Sequence, residues 1–126
     1  MRKRLTWCAS HLSFVTAMNQ PELYADPEPT RAEVDAWEGP AVHEFGAAWC
    51  GWCLGAQPHV DAALAGHPQV RHLQIADGRG RPLGRSFGVK LWPTLVFLDH
   101  GREVARVVRP ADADAMRRAL AQIAAA

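Results

Sequence analysis

The sequence predicts an α/β domain in which a central mixed β-sheet carries helices on both faces. Three observations predict it. Helical and strand patterns follow one another in the order helix, strand, helix, strand, short helical turn, strand, strand, helix. The first two strands are joined through a helix, and such a unit makes parallel neighbours through a right-handed crossover. The last two strands are joined through Asp99-His100-Gly101, a hairpin turn in which Gly supplies a positive φ. A mixed sheet covered on both faces satisfies all three.

The elements follow in order. Residues 18–29, with Pro21, Pro27 and Pro29, read as an extended lead-in. Thr30 followed by Glu33 is a capping-box pattern, so a helix is predicted from Arg31, with Val34 and Trp37 on its apolar stripe and Gly39-Pro40 stopping it. Residues 41–47 form a short apolar run suited to a buried strand, although His43 and Glu44 interrupt it. Residues 53–64 read as a helix ending before Gly66-His67-Pro68, and Pro58 inside it lacks a backbone donor and is expected to kink it. Residues 70–76 alternate as a second strand; 77–82 are a Gly- and Arg-rich loop, and 83–87 hold one short helical turn. Residues 94–98 and 103–108 are the hairpin strands, ended by Pro110. Residues 112–125 make a final amphipathic helix, with Asp112 as N-cap and Met116, Leu120 and Ile123 facing inward.

At 126 residues, the chain is long enough for one self-sufficient core and no more. The division expected is an extended or disordered segment over 1–29 and the folded domain over 30–126. A formal net charge of +1 gives no electrostatic reason to expect nucleic acid or an anionic membrane as partner. Abundant Ala and an excess of Arg over Lys fit a GC-rich bacterial genome. Met1-Arg2-Lys3-Arg4 and the stretch to Ala17 imitate a secretory signal, but Thr6, Ser10, His11, Ser13 and Thr16 interrupt its apolar part. That stretch is too short and polar to span a membrane. A cytoplasmic location is therefore expected, with the periplasm as the alternative if 1–17 is a weak signal.

Three cysteines make no disulfide scaffold; Cys50 and Cys53 pair naturally and leave Cys8 over, expected in a disordered tail with no assigned role or, alternatively, as an exposed thiol prone to adventitious dimerisation. Trp49-Cys50-Gly51-Trp52-Cys53 is the most informative stretch. A C-x-x-C within a strand–helix–strand pattern reads as a redox pair, and the same spacing reads as half of a zinc site. The zinc reading lacks a second half, since no other C-x-x-C or H-x-x-x-H exists, and no metal is expected. A cysteine at a strand-to-helix junction faces outward-pointing N–H groups and the positive end of the helix dipole, which stabilise a thiolate. Cys50 is placed this way and is the expected nucleophile. Cys53, a turn further in, is expected to be less exposed and to resolve the mixed disulfide formed on Cys50.

At these residues the chain resembles the thioredoxin family. Trp49-Cys50-Gly51-Trp52-Cys53 matches the family's W-C-G-x-C; Pro58 falls where the family's active-site helix is kinked; Trp92-Pro93-Thr94 opens Leu95-Val96-Phe97-Leu98 as the family's cis-proline segment does; Asp99-His100-Gly101 matches its turn in placement. The resemblance spans roughly 31–125. It implies the thioredoxin fold and a protein-disulfide oxidoreductase, working most readily as a reductase in cell redox homeostasis. It also implies that Pro93 is a cis-proline packed against the disulfide, leaving a backbone donor and acceptor of Trp92 free for an extended substrate. Glu44 stands where the family carries a buried Asp that accepts the proton of the resolving thiol, and His72 where it carries a Lys. No cofactor is implied. The partners implied are proteins bearing disulfides or thiols and a redox partner such as a reductase, with the chain itself a monomer.

Three departures qualify the match. Gly-Trp replaces the usual Gly-Pro between the cysteines, Trp92 is bulky for its position, and Pro110 falls about where the family has a groove-lining Gly. Trp49, Trp52 and Trp92 together are candidates for an exposed aromatic patch that contacts substrate, although Trp49 taken alone reads better as packing on the fold. The other function classes open at this point are a metal-binding module, separated by zinc analysis, and a non-catalytic thioredoxin-like interaction domain, separated by an insulin-reduction assay.

Overall fold

The computed structural model describes residues 24–124; Cys8 and the signal-like stretch 1–17 lie outside them. The elements are α1 (Arg31–Asp35), β1 (Pro40–Gly46), α2 (Gly51–Leu64), β2 (Arg71–Ala76), α3 (Pro82–Ser86), β3 (Thr94–Asp99), β4 (Arg102–Val108) and α4 (Ala113–Ile123). The sheet order is β2-β1-β3-β4. β1 runs parallel to β2 and antiparallel to β3, and β3 pairs antiparallel with β4. The mixed sheet with helices on both faces is therefore as the element order predicts.

The two faces follow from strand alternation. Val42, Leu95 and Phe97 point to one face and pack with Val60 and Ala63 of α2 and Met116, Ala119, Leu120 and Ile123 of α4. Ala41, Phe45, Ile75, Val96 and Leu98 point to the other, against Val34 of α1 and Leu83 and Phe87 around α3. Each large apolar side chain buried this way contributes about 1.5–3 kcal/mol. His43 and Glu44 do not interrupt β1: as the central strand it is buried on both faces, and the two polar side chains are buried with it.

Local chemistry sets the element ends. Thr30 Oγ1 accepts from the Glu33 N–H at 3.0 Å, and the Thr30 N–H donates to Glu33 Oε1 at 2.8 Å, closing the capping box. Helix α2 begins at Gly51, two residues before the predicted Cys53, because Cys50 itself is the N-cap. Pro82 opens α3 at a position where no N–H is needed. The β3–β4 turn places both His100 (φ 53°) and Gly101 (φ 80°) in the left-handed region, the pairing a type I′ turn requires. The lead-in from Tyr24 lies along the outer edge of the sheet. Tyr24 bridges Gln74 of β2, the Ala25 N–H donates to the Gln74 carbonyl at 2.8 Å, and Glu28 accepts the Leu83 N–H at 2.9 Å.

Candidate active site

The site sits where β1 hands over to α2. After Gly46 the chain turns through Ala47-Ala48-Trp49, with the Cys50 N–H donating to the Ala47 carbonyl at 3.1 Å. Cys50 caps the helix with its side chain: its Sγ accepts the Cys53 N–H at 3.3 Å. A sulfur in that position receives a backbone donor and faces the N-terminus of α2. Both cysteines are free thiols and buried, Cys50 at 5% and Cys53 at 6% exposure. The expected contrast in exposure is therefore absent. What separates the two sulfurs is their surroundings: Cys50 holds the cap position, whereas burial pushes the Cys53 thiol up to about 12, with the Cys50 sulfur and the Glu44 charge adding to the shift. A thiol held protonated until a base removes its proton suits a resolving role.

Glu44 projects from β1 on the α2 face, buried, close enough for its charge to act on Cys53. Its Oε1 lies 2.8 Å from Nε2 of His72 on β2, and the imidazole is part-exposed. The chain thus brings Cys53, Glu44 and His72 into one sequence of ionisable groups leading outward. Tyr24, which sequence reasoning missed, faces the same group. Its phenol is pushed up to about 12 by burial first and then by the charges of Cys53, Glu44 and Cys50. The only local sign of it was a lone aromatic between Pro21 and Pro27. Gly46 was also missed. A Cβ there would stand 2.5 Å from Cys53 Sγ, so only Gly lets the strand end against the sulfur.

The Trp92–Pro93 peptide bond is cis. Trp92 packs against Ala47, Cys50 and Cys53, and its indole Nε1 donates to Asp77 Oδ2 at 2.8 Å, while the Asp77 N–H donates to the Gly46 carbonyl at 2.8 Å. One residue after β2 thereby ties the end of β1 to the proline loop. The Trp92 carbonyl is not free, contrary to expectation: it accepts from Arg109 Nε at 2.8 Å. Arg109 follows β4 with φ 50°, its N–H donates to the Pro93 carbonyl at 2.9 Å, and its guanidinium carbon lies 4.4 Å above the Trp52 ring. Nothing in the sequence before Pro110 marks this residue.

Trp49, Trp52 and Trp92 are all at least partly exposed, and Trp52 carries the Arg109 guanidinium on its ring. Trp49 is 77% and Trp52 61% exposed, so Trp49 does not pack into the fold; its ring meets that of Trp92 edge-on at 5.4 Å between centroids. His43 is elsewhere, on the opposite face of β1. It is enclosed by Trp37, Phe45 and Phe87 at centroid distances of 5.1, 5.8 and 6.0 Å. Neither ring nitrogen has a hydrogen-bond partner among the described residues, and burial with the nearby Arg71, Arg31 and His72 lowers its pKa to about 4. Among the described residues no group of three or more His, Cys, Asp and Glu side chains is disposed to hold a metal ion, and no helix is long and apolar enough to cross a membrane.

Comparison with known proteins agrees with this geometry. The thioredoxin family model matches residues 25–122. The solved structure of thioredoxin 2 from Pseudomonas aeruginosa in its reduced form is 48% identical, covers 84% of this chain and 98% of its own, and superposes with a TM-score of 0.74. A thioredoxin of Nicotiana alata is 28% identical over 75% of this chain and 81% of its own, with a TM-score of 0.63. Among curated proteins, a thioredoxin of Chlamydia muridarum is 37% identical over 79 residues, 62% of this chain and 76% of that protein. With the fold, the W-C-G-W-C junction and the family match in agreement, the chain belongs to the thioredoxin family.

Proposed function

We propose that this chain is a thiol–disulfide oxidoreductase that reduces protein disulfides, with Cys50 attacking and Cys53 resolving. The observation that carries the reading is the asymmetry of the two sulfurs, one capping α2 and accepting a backbone N–H, the other pushed up to about 12 beside a buried carboxylate. In the first step the Cys50 thiolate attacks one sulfur of the substrate disulfide, forms a mixed disulfide, and the other substrate sulfur leaves as a thiol after taking a proton. In the second, Glu44 accepts the Cys53 proton and His72 passes it toward solvent. The Cys53 thiolate attacks Cys50 Sγ, the bond to substrate breaks, and the second substrate thiol departs. Two electrons have moved from the dithiol to the substrate, and a redox partner such as a reductase returns them. An imidazole is the side chain suited to proton relay near neutral pH.

The same proposal takes the reductive direction, a cytoplasmic location and a monomeric chain, and membership of the thioredoxin family supports the exchange chemistry. Trp49, Trp52 and Trp92 serve as the substrate-contacting surface, with Pro93 beside the sulfurs. Insulin reduction with a competent electron donor, together with the Cys50–Cys53 potential against glutathione, tests the reading. Turnover that is abolished by Cys50→Ser and a potential near the family's reducing end of about −270 mV are expected. No turnover by the wild-type chain would leave a binding role instead, and a much more oxidising potential would reverse the direction.

A further inference from the structure

Arg109 is the residue at the mouth of the site that the exchange chemistry does not use. It holds a left-handed backbone that side chains other than Gly, Asn and Asp seldom adopt, and such outliers persist where surrounding contacts over-determine them. Here those contacts are the bonds to the Pro93 and Trp92 carbonyls and the stack on Trp52. The side chain therefore links the Trp52 ring to the carbonyl before Pro93. Among the described residues only one of its five N–H donors has an acceptor, and no carboxylate forms an ion pair with it. A guanidinium fixed in orientation with its remaining donors open is a receptor for a carboxylate, which it can hold through two parallel bonds.

We propose that Arg109 is a specificity-determining residue that selects disulfide partners carrying a carboxylate beside their reactive cysteine, its guanidinium passing from the Trp92 carbonyl to that carboxylate as the partner docks. The inference deepens the exchange reading and rests on it. Two departures from the family pattern then acquire a joint role. Trp52, in place of the usual Pro, is the platform for the guanidinium, and Arg109-Pro110 sets the cation over it. Docking an extended partner frees the Trp92 carbonyl to accept the partner's backbone N–H while the carboxylate takes over the cation.

The test uses the pre-reduced full chain and three disulfide peptides identical except for Glu, Gln or Lys next to the cysteine. Single-turnover rates are read as ratios between peptides. The wild-type chain is expected to prefer Glu over Gln over Lys, with a Glu-to-Lys ratio of about fivefold at low salt, falling toward one at 1 M salt where the Debye length is about 3 Å. Arg109→Gln is expected to bring the ratio to about one, and Arg109→Lys, which keeps the charge, to preserve the order. An unchanged ratio in folded Arg109→Gln, or no charge order in the wild-type chain, would overturn the proposal. Should Arg109→Gln fail to fold, the wild-type salt titration and Arg109→Lys decide it. Exchange without charge order overturns this inference alone, whereas no exchange with any peptide overturns the oxidoreductase reading and this one with it.

Discussion

Glu44 and His72 face each other across the parallel pair β1–β2, Oε1 to Nε2 at 2.8 Å, a buried carboxylate against a part-exposed imidazole. The contact joins the interior beneath Cys53 to the surface. If it carries the resolving proton, Glu44→Gln lengthens the life of the mixed disulfide on Cys50 and slows turnover by about 10²-fold, the scale of a lost general base. His72→Ala slows the same step and moves its pH profile, while His72→Lys restores much of the rate. Quench-flow with thiol trapping reads the intermediate directly, and an unaltered mixed-disulfide lifetime in both Glu44→Gln and His72→Ala would remove the relay.

His43 sets the acid limb of stability. Its imidazole is buried among Trp37, Phe45 and Phe87, and its pKa falls from 6.5 to about 4 on folding. Between those values the unfolded chain binds the proton and the folded chain does not. Stability is therefore present above about pH 6.5 and lost on acidification toward pH 4, by up to about 3 kcal/mol. His43→Leu removes two unpartnered ring nitrogens and flattens this limb, with a gain of about 1 kcal/mol at neutral pH. Chemical denaturation at pH 7 and pH 4.5 compares the two proteins; parallel losses on acidification would assign the acid limb to other groups.

Gly46→Ala places a methyl carbon 2.5 Å from Cys53 Sγ at the end of a buried strand. Either the strand end or the sulfur must shift, a change of the overpacking kind that costs about 1–3 kcal/mol. Displaced from its position above Glu44, Cys53 resolves more slowly, so the variant accumulates mixed disulfide even where it remains folded. A thermal midpoint and exchange rate equal to wild type would show that the site tolerates the methyl.

Much of the fold was legible because local chemistry and global topology agree. Thr30 with Glu33, Asp112 as N-cap and the Asp99-His100-Gly101 turn each state an element boundary within a few residues. The cysteine pair was legible for the same reason, since its chemistry is written in adjacent positions. Arg109, Tyr24 and Gly46 were not, because each acts through a contact made across the fold: Arg109 with Trp52 and Trp92, Tyr24 with the β2 edge, Gly46 with Cys53. The exposure of Cys50 was misjudged because helix position foretells hydrogen bonding better than it foretells how neighbouring rings shield a sulfur. His43 shows the converse. A residue expected to interrupt the strand is central to the aromatic core, since a strand buried on both faces must bury whatever residue falls at that position.

The assignment of the sulfurs is tested most directly by trapping. Cys53→Ser, mixed pre-reduced with a disulfide peptide, is predicted to accumulate a covalent adduct equal to the chain plus one peptide half, mapped by mass spectrometry to Cys50. Cys50→Ser is predicted to form none on Cys53 at comparable times, because that thiol is pushed up to about 12. A stable adduct on Cys53 in Cys50→Ser, with none on Cys50 in Cys53→Ser, would contradict the account.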